Sequence, residues 1–160
     1  LATHLKNLNQ FEGALPDGSA YYVAIVVSSW NREVTDKLLD GALEALQAAS
    51  VHADNIRVAQ VPGTYELALG AQFFADLHYD AVICLGCVIQ GETRHFDFIC
   101  HAAAQGIMNI GLTHDKPVIF GVLTTDNQEQ ALDRAGGKHG NKGYEAGVTA
   151  LQMIALKKSV

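Results

Sequence analysis

The sequence predicts an α/β fold in which a parallel sheet is wound with helices on both faces, and three observations predict it. Four short runs, residues 22–28 (YVAIVVS), 56–61 (IRVAQV), 81–88 (AVICLGCV) and 118–124 (VIFGVLT), are β-branched and largely apolar. They lack a strict alternation of apolar and polar residues, which suits strands covered on both sides. Between them lie segments whose apolar residues recur every three or four positions, so strand and helix alternate along the chain.

Taken in order, residues 1–20 show no periodicity and hold Gly13, Pro16, Asp17 and Gly18, which reads as an arm or loop. After the first strand, Val34, Leu38, Leu39, Ala42, Leu46 and Ala49 mark one face of a first helix. Leu69, Phe73 and Leu77 mark a second, with Thr64 expected as its cap. Residues 95–109 make a third and 128–135 a short fourth. Tyr144, Val148, Leu151 and Ala155 mark the last, with Asn141 as its cap. The whole, residues 1–160, reads as a single domain, since 160 residues leave little room for a second.

Composition narrows the partners. Charged residues make up 18% of the chain, against about 25% in an ordinary soluble domain. A surface so poor in charge points to self-association, because interface cores are depleted in charge. The net charge of −6 provides no basic footprint for nucleic acid. No apolar stretch approaches the roughly 20 residues of a membrane span, and no signal peptide is visible. Cys84, Cys87 and Cys100 are odd in number, and the C-x-x-C pair lies inside an apolar run, where its two members fall on opposite faces of a strand. Reduced thiols in a cytoplasmic protein are the expectation.

In doubly wound folds, ligands bind beyond the carboxyl ends of the strands. That rule selects the loops at residues 28–32, 62–66, 89–95 and 124–127. In the first, Trp30, the only tryptophan, either stacks on a planar ligand or packs in a core or interface. In the second, Glu66 follows a Pro-Gly turn. It is placed either to accept hydrogen bonds from ligand hydroxyls or simply to favour the start of a helix. The third offers Gly91, Thr93 and a helix start as a phosphate cradle, with His95 beside it for proton transfer or as a solvated helix terminus. His95 and His101 are six apart and have no carboxylate at ligand spacing, so no metal is expected. Further on, residues 133–143 (DRAGGKHGNKG) fail the phosphate-loop pattern, because Gly143 follows Lys142 where Ser or Thr is required. Arg134 can still clamp a phosphate, and a solvated basic turn is the alternative.

At SSWN, VPGTYE, GCVIQGETRHFDFIC, PVIFGVLTTDN and DRAGGKHGNKG the chain resembles the lumazine synthase family, in order and spacing from about Val23 to the last helix. The resemblance implies a flavodoxin-like three-layer sandwich with a four-stranded parallel sheet. It implies condensation of a ribityl-bearing aminouracil with a four-carbon keto-phosphate, a series of proton transfers needing no metal or cofactor. It also implies roles. Trp30 stacks on the pyrimidine with Asn31 beside it, and Thr64, Tyr65 and Glu66 hold the aminouracil and its ribityl chain. Cys87, Val88 and Ile89 offer main-chain groups to the uracil, Glu92 and Thr93 help to bind the keto-phosphate, and His95 moves protons. Phe120 and Arg134 arrive from a neighbouring subunit, and Lys138 and Lys142 add charge nearby. Many members carry Phe at the position of Trp30, and many carry Lys or Arg at that of Gln90. The indole keeps the stacking role, whereas any contact from a cation at Gln90 is lost.

The implied partners are the two small substrates, copies of the same chain in pentamers that twelve-fold assembly builds into a 60-subunit shell, and riboflavin synthase. A module holding a flavin without catalysis would share Trp30, and a purely structural shell would leave His95 and Arg134 idle.

Overall fold

The computed structural model describes residues 11–160, so the first ten positions of the expected arm lie outside the described residues. Residues 11–20 form neither helix nor strand, as expected of an arm. The first strand, β1 (Val23–Ser28), is buried at every position. It pairs in parallel with β2 (Ile56–Val61) on one side and β3 (Ala81–Ile89) on the other. β4 (Val118–Thr125) extends the sheet in parallel beyond β3, giving the order β2-β1-β3-β4. All four predicted strands are present, with ends moved by one residue at most.

Two apolar layers clamp the sheet. On one face, Val23, Ile25, Val27, Ile83 and Leu85 pack with Leu38 and Leu46 of α1 (Arg32–Ala48) and Leu151 and Ile154 of α5 (Lys142–Ser159). On the other, Ala24, Val26, Val82 and Cys84 pack with Leu67 and Ala71 of α2 (Leu67–Ala75) and Ile107 and Ile110 of α3 (His95–His114). Fully burying each large side chain contributes about 1.5–3 kcal/mol. Helices on both faces of a parallel sheet make the three-layer sandwich that the resemblance implied.

Helix α5 closes on α1 where glycine permits it. A Cβ at Gly143 would stand 1.8 Å from the Leu38 carbonyl oxygen, and one at Gly147 would stand 2.7 Å from Ala45 Cβ. Asn141 caps α5 as expected, its Oδ1 accepting from the N–H groups of Gly143 (2.8 Å) and Tyr144 (3.2 Å). Its Nδ2 donates to the Lys37 carbonyl at 2.9 Å, so one side chain both starts α5 and ties it to α1.

Four expectations need correction. Thr64 does not cap α2: it opens a 3-10 turn, Thr64–Glu66, ahead of the helix, and Glu66 Oε2 accepts from the N–H of Gly63. The stripe of Leu69, Phe73 and Leu77 is not the buried face of α2, since these residues are 59%, 65% and 50% exposed. The face that packs consists of Leu67 together with Gly70, Ala71 and Ala75, and the last three are small residues that bring α2 close to the sheet. Helix α3 continues past residue 109 to His114, where Asp115 takes a left-handed conformation (φ 48°) and the Lys116 N–H closes on the Gly111 carbonyl. Finally, α4 (Gln128–Asp133) stops two residues early, because the glycine-rich segment forms an antiparallel ribbon of β5 (Ala135–Gly137) and β6 (Gly140–Asn141). Gly136 and Gly140 make this turn with φ of 100° and 81°.

Replacing Asn141 by Ala removes the cap and the tie to α1, and is expected to lower unfolding stability by about 1–2 kcal/mol in urea titration. Gly143→Ala is expected to be far worse and to leave no soluble protein, because backbone lies where its methyl would go.

Candidate active site at the strand ends

Because the four strands are parallel, the loops that follow them share one rim of the sheet. Hydrogen bonds then draw three of the loops together. The N–H of Trp30 donates to the Pro62 carbonyl at 3.0 Å, tying the loop after β1 to the loop after β2. Asn31 adopts a left-handed conformation (φ 58°), which asparagine tolerates better than most residues. Its Nδ2 donates to the Cys87 carbonyl of β3 at 2.9 Å. The buried Thr64 Oγ1 reaches the same carbonyl at 3.5 Å. Gln90 closes the end of β3 onto β4, its N–H donating to the Thr125 carbonyl at 2.8 Å. One cluster therefore holds Trp30, Asn31, Thr64, Glu66, Cys87, Val88, Ile89 and Gln90.

The indole of Trp30 is 65% exposed, a flat apolar plate at the mouth of the cluster, and Tyr65 is exposed nearby in sequence on the Thr64–Glu66 turn. Glu66 is half-buried, and its bond to the Gly63 N–H fixes the carboxylate beside the plate. Ser28, at the end of β1, is buried, and its Oγ has no hydrogen-bond partner among the described residues. In the sequence Ser28 reads as the last residue of the first strand and the start of the loop after it, without a role in the site. The signal available was a hydroxyl ending an otherwise apolar strand.

Glu92, Thr93 and His95 follow on the segment from β3 into α3, all exposed. Thr93 Oγ1 accepts from the His95 N–H at 3.4 Å. The positive end of the dipole of the twenty-residue α3 favours an anion there. Helix α3 packs against the Thr64–Glu66 turn, so His95 belongs to the α2/α3 side of the same rim.

The remaining predicted residues stand elsewhere. Phe120 lies in mid-strand, paired with Cys84, three residues short of Cys87. β4 is an edge strand two places from β1 and three from β2, about 10–14 Å across the sheet. Phe120 lines a groove of about 1270 Å³ along this edge with Met108, Lys138, Lys142, Tyr144 and Gln152. Arg134 follows α4, half-buried, and donates from Nη1 to the Gln130 carbonyl at 3.1 Å. The ribbon after it packs on α1, so Arg134 leads onto the layer opposite α3. Lys138 pairs with Asp133 at 2.9 Å, a hydrogen bond that raises the lysine's pKa, and Lys142 pairs with Glu145 at 3.2 Å. Within one chain, the plate and imidazole gather at the rim, while the phenyl ring and the two lysines line the flank.

The cysteines are free thiols, as expected. Cys84 faces the α2/α3 layer and Cys87 the α1/α5 layer. Burial pushes the Cys87 thiol up to about 11 and that of Cys84 to about 12. Cys87 therefore serves the rim through its carbonyl, not as a nucleophile.

Comparison with known proteins agrees with this geometry. A family model described as 6,7-dimethyl-8-ribityllumazine synthase matches residues 20–158. A protein of that description from Cytophaga hutchinsonii is 59% identical over 151 residues, covering 94% of this chain and 95% of its own. Relatives of the same description from Parabacteroides distasonis and Flavobacterium johnsoniae are 47% and 45% identical, covering 96% and 99% of this chain and 98% and 84% of theirs.

At pH 8, iodoacetamide is expected to leave Cys84 and Cys87 unmodified until denaturant unfolds the chain; labelling of Cys87 in native protein contradicts the burial. The folded chain holds both thiol protons above the ordinary thiol range, so stability is expected to fall as pH rises from about 9, where the unfolded thiols ionise first.

Proposed function

The chain belongs to the 6,7-dimethyl-8-ribityllumazine synthase family, and from that premise we propose that its rim and its β4-edge groove are two halves of one active site, completed between neighbouring copies. It condenses 5-amino-6-(D-ribitylamino)uracil with 3,4-dihydroxy-2-butanone 4-phosphate, releasing phosphate and water, as a transferase of riboflavin biosynthesis.

One observation carries the assignment of roles: Asn31 and Thr64 converge on the Cys87 carbonyl beside an exposed indole and a fixed carboxylate. A ribityl uracil needs those groups. The ring stacks on Trp30, the main chain at Cys87, Val88 and Ile89 pairs with the amide edge of the uracil, and Thr64, Tyr65 and Glu66 receive the ribityl hydroxyls. The keto-phosphate sits at the start of α3 by Glu92 and Thr93, its charge met by Arg134 of an adjoining copy, with Lys138 and Lys142 adding to the field. Phe120 of that copy closes the far side of the pyrimidine. Gln90 acts through its main chain, and its side chain supplies no charge.

The 5-amino group attacks the ketone and water leaves, giving an imine. Phosphate is then eliminated with the proton of the adjacent hydroxyl-bearing carbon, and the resulting enol tautomerises to a new ketone. The ribitylamino nitrogen closes the ring on that ketone, and a second water departs. His95 moves protons between these atoms, a role worth about 10²- to 10⁴-fold. Holding two reactants in register contributes more, roughly 7–11 kcal/mol. That is the reason to divide the grip between chains.

The exposed apolar side chains support self-association. Leu69 and Phe73 on α2, Leu77 just beyond its end, and Phe98, Met108 and Leu112 on α3 lie open in a single chain. We assign these faces to a pentamer, and twelve pentamers to a 60-subunit shell whose short 136–143 turn leaves the packing clear. A cytoplasmic location and association with riboflavin synthase, which consumes the product, complete the reading. Among the described residues, no helix is long and apolar enough to cross a membrane.

Incubation with both substrates is expected to produce the fluorescent lumazine. His95→Ala is expected to slow kcat about 10²-fold without abolishing it, and Arg134→Ala to reduce kcat/KM further by misplacing the phosphate. An inactive His95→Ala beside a normal Arg134→Ala contradicts these roles.

A further inference from the structure

Gly63 has φ −130° and ψ 177°, extended backbone open to any residue, so conformational freedom does not explain the glycine. Space does. A Cβ at Gly63 would stand 2.5 Å from Cε3 and 2.6 Å from Cζ3 of Trp30, and 3.2 Å from Glu66 Oε2. Carbon atoms in contact stand about 3.5–4.0 Å apart, so the Cε3–Cζ3 edge of the indole occupies the space that a side chain at Gly63 would need.

The indole cannot retreat with its backbone. The N–H groups of Ser29 and Trp30 both bond the 61–62 segment, and the next residue, Asn31, is held by the Cys87 carbonyl. The same glycine also fixes the carboxylate, because its N–H donates to Glu66 Oε2 at 3.1 Å. Gly63 therefore leaves room for one group assigned to the aminouracil, the indole, and holds another, the carboxylate, through its nitrogen.

We propose that Gly63 is a positioning residue that seats the indole and thereby sets the spacing between the aromatic plate and the Glu66 carboxylate, the spacing that matches a pyrimidine ring to its polyhydroxy side chain. This rests on the reading that Trp30 and Glu66 grip the aminouracil. Its effect belongs to recognition of that substrate alone and not to the keto-phosphate.

The test is Gly63→Ala in the assembled enzyme, with intrinsic fluorescence as a direct readout, since Trp30 is the only tryptophan. The Trp30 emission is expected to shift without substrate present. KM for the aminouracil is expected to rise roughly tenfold, as lifting a substrate plate by about an ångström should. KM for the keto-phosphate and kcat should stay within about twofold, and in a Trp30→Ala background the same change should add nothing further. Unchanged emission overturns the seat, and an equal rise in KM in the Trp30→Ala background overturns action through the indole. If Trp30→Ala itself leaves KM unaltered while the emission of Gly63→Ala shifts, the site assignment has failed and the positioning role falls with it, although the packing stands. Should Gly63→Ala be insoluble alone, pairing it with Trp30→Phe is expected to restore soluble, active protein. Insolubility of that pair too would overturn the proposal, because the clash would then lie elsewhere.

Discussion

The constraint on which the rest depends is the parallel pairing of β1 with both β2 and β3. With Val23 level with Ile56 and Ala81, three strands start in register, β1 and β2 end level at Ser28 and Val61, and β3 runs on past them to Ile89. The loops that follow must then share a rim, and their polar groups need partners. The Cys87 carbonyl becomes the point where they meet, accepting from Asn31 and Thr64. Chemistry that no single loop could hold is thus fixed by register, and the buried apolar layers on both faces keep that register from slipping.

A single chain nonetheless remains chemically and physically unfinished. Its rim has a plate, a carboxylate and an imidazole. The phenyl ring and the two lysines lie along the edge of β4, and Arg134 leads onto the opposite layer. Two helices also expose long apolar side chains that water disfavours. In the proposed shared site, association answers both problems at once, covering those faces as one chain's edge meets another's rim. The low proportion of charged residues is the compositional trace of that arrangement.

Much of this was legible in the sequence. The strands stood out because β1 and most of β3 are buried and apolar, while β2, half-exposed at the sheet's edge with Arg57 and Gln60, was readable only from its short apolar run between helical segments. Asn141 was readable as a cap because side-chain capping is local chemistry. The misreadings are equally physical. Leu69, Phe73 and Leu77 form an apolar stripe of helical period, but periodicity shows that a face is apolar without showing what covers it. The packed face of α2 is built from Gly70, Ala71 and Ala75, which carry a weak hydrophobic signal. Thr64 looked like a cap because the 3-10 turn ahead of α2 has no pattern of its own. The ribbon of β5 and β6 went unread because glycine imposes no periodicity. Gly63 was legible only as half of a turn, since its contact with the indole is a matter of distance that no spacing in the sequence encodes.

The claim that adjoining chains share each site is tested most directly by mixing. Trp30→Ala subunits have a damaged rim and an intact guanidinium, and Arg134→Ala subunits the reverse. Dissociating the two impaired populations and reassembling them together is predicted to raise lumazine formation above that of either parent, because some sites then combine an intact rim with an intact neighbour. Activity no greater in the mixed assemblies than in either parent, with mixing confirmed by mass, would contradict it.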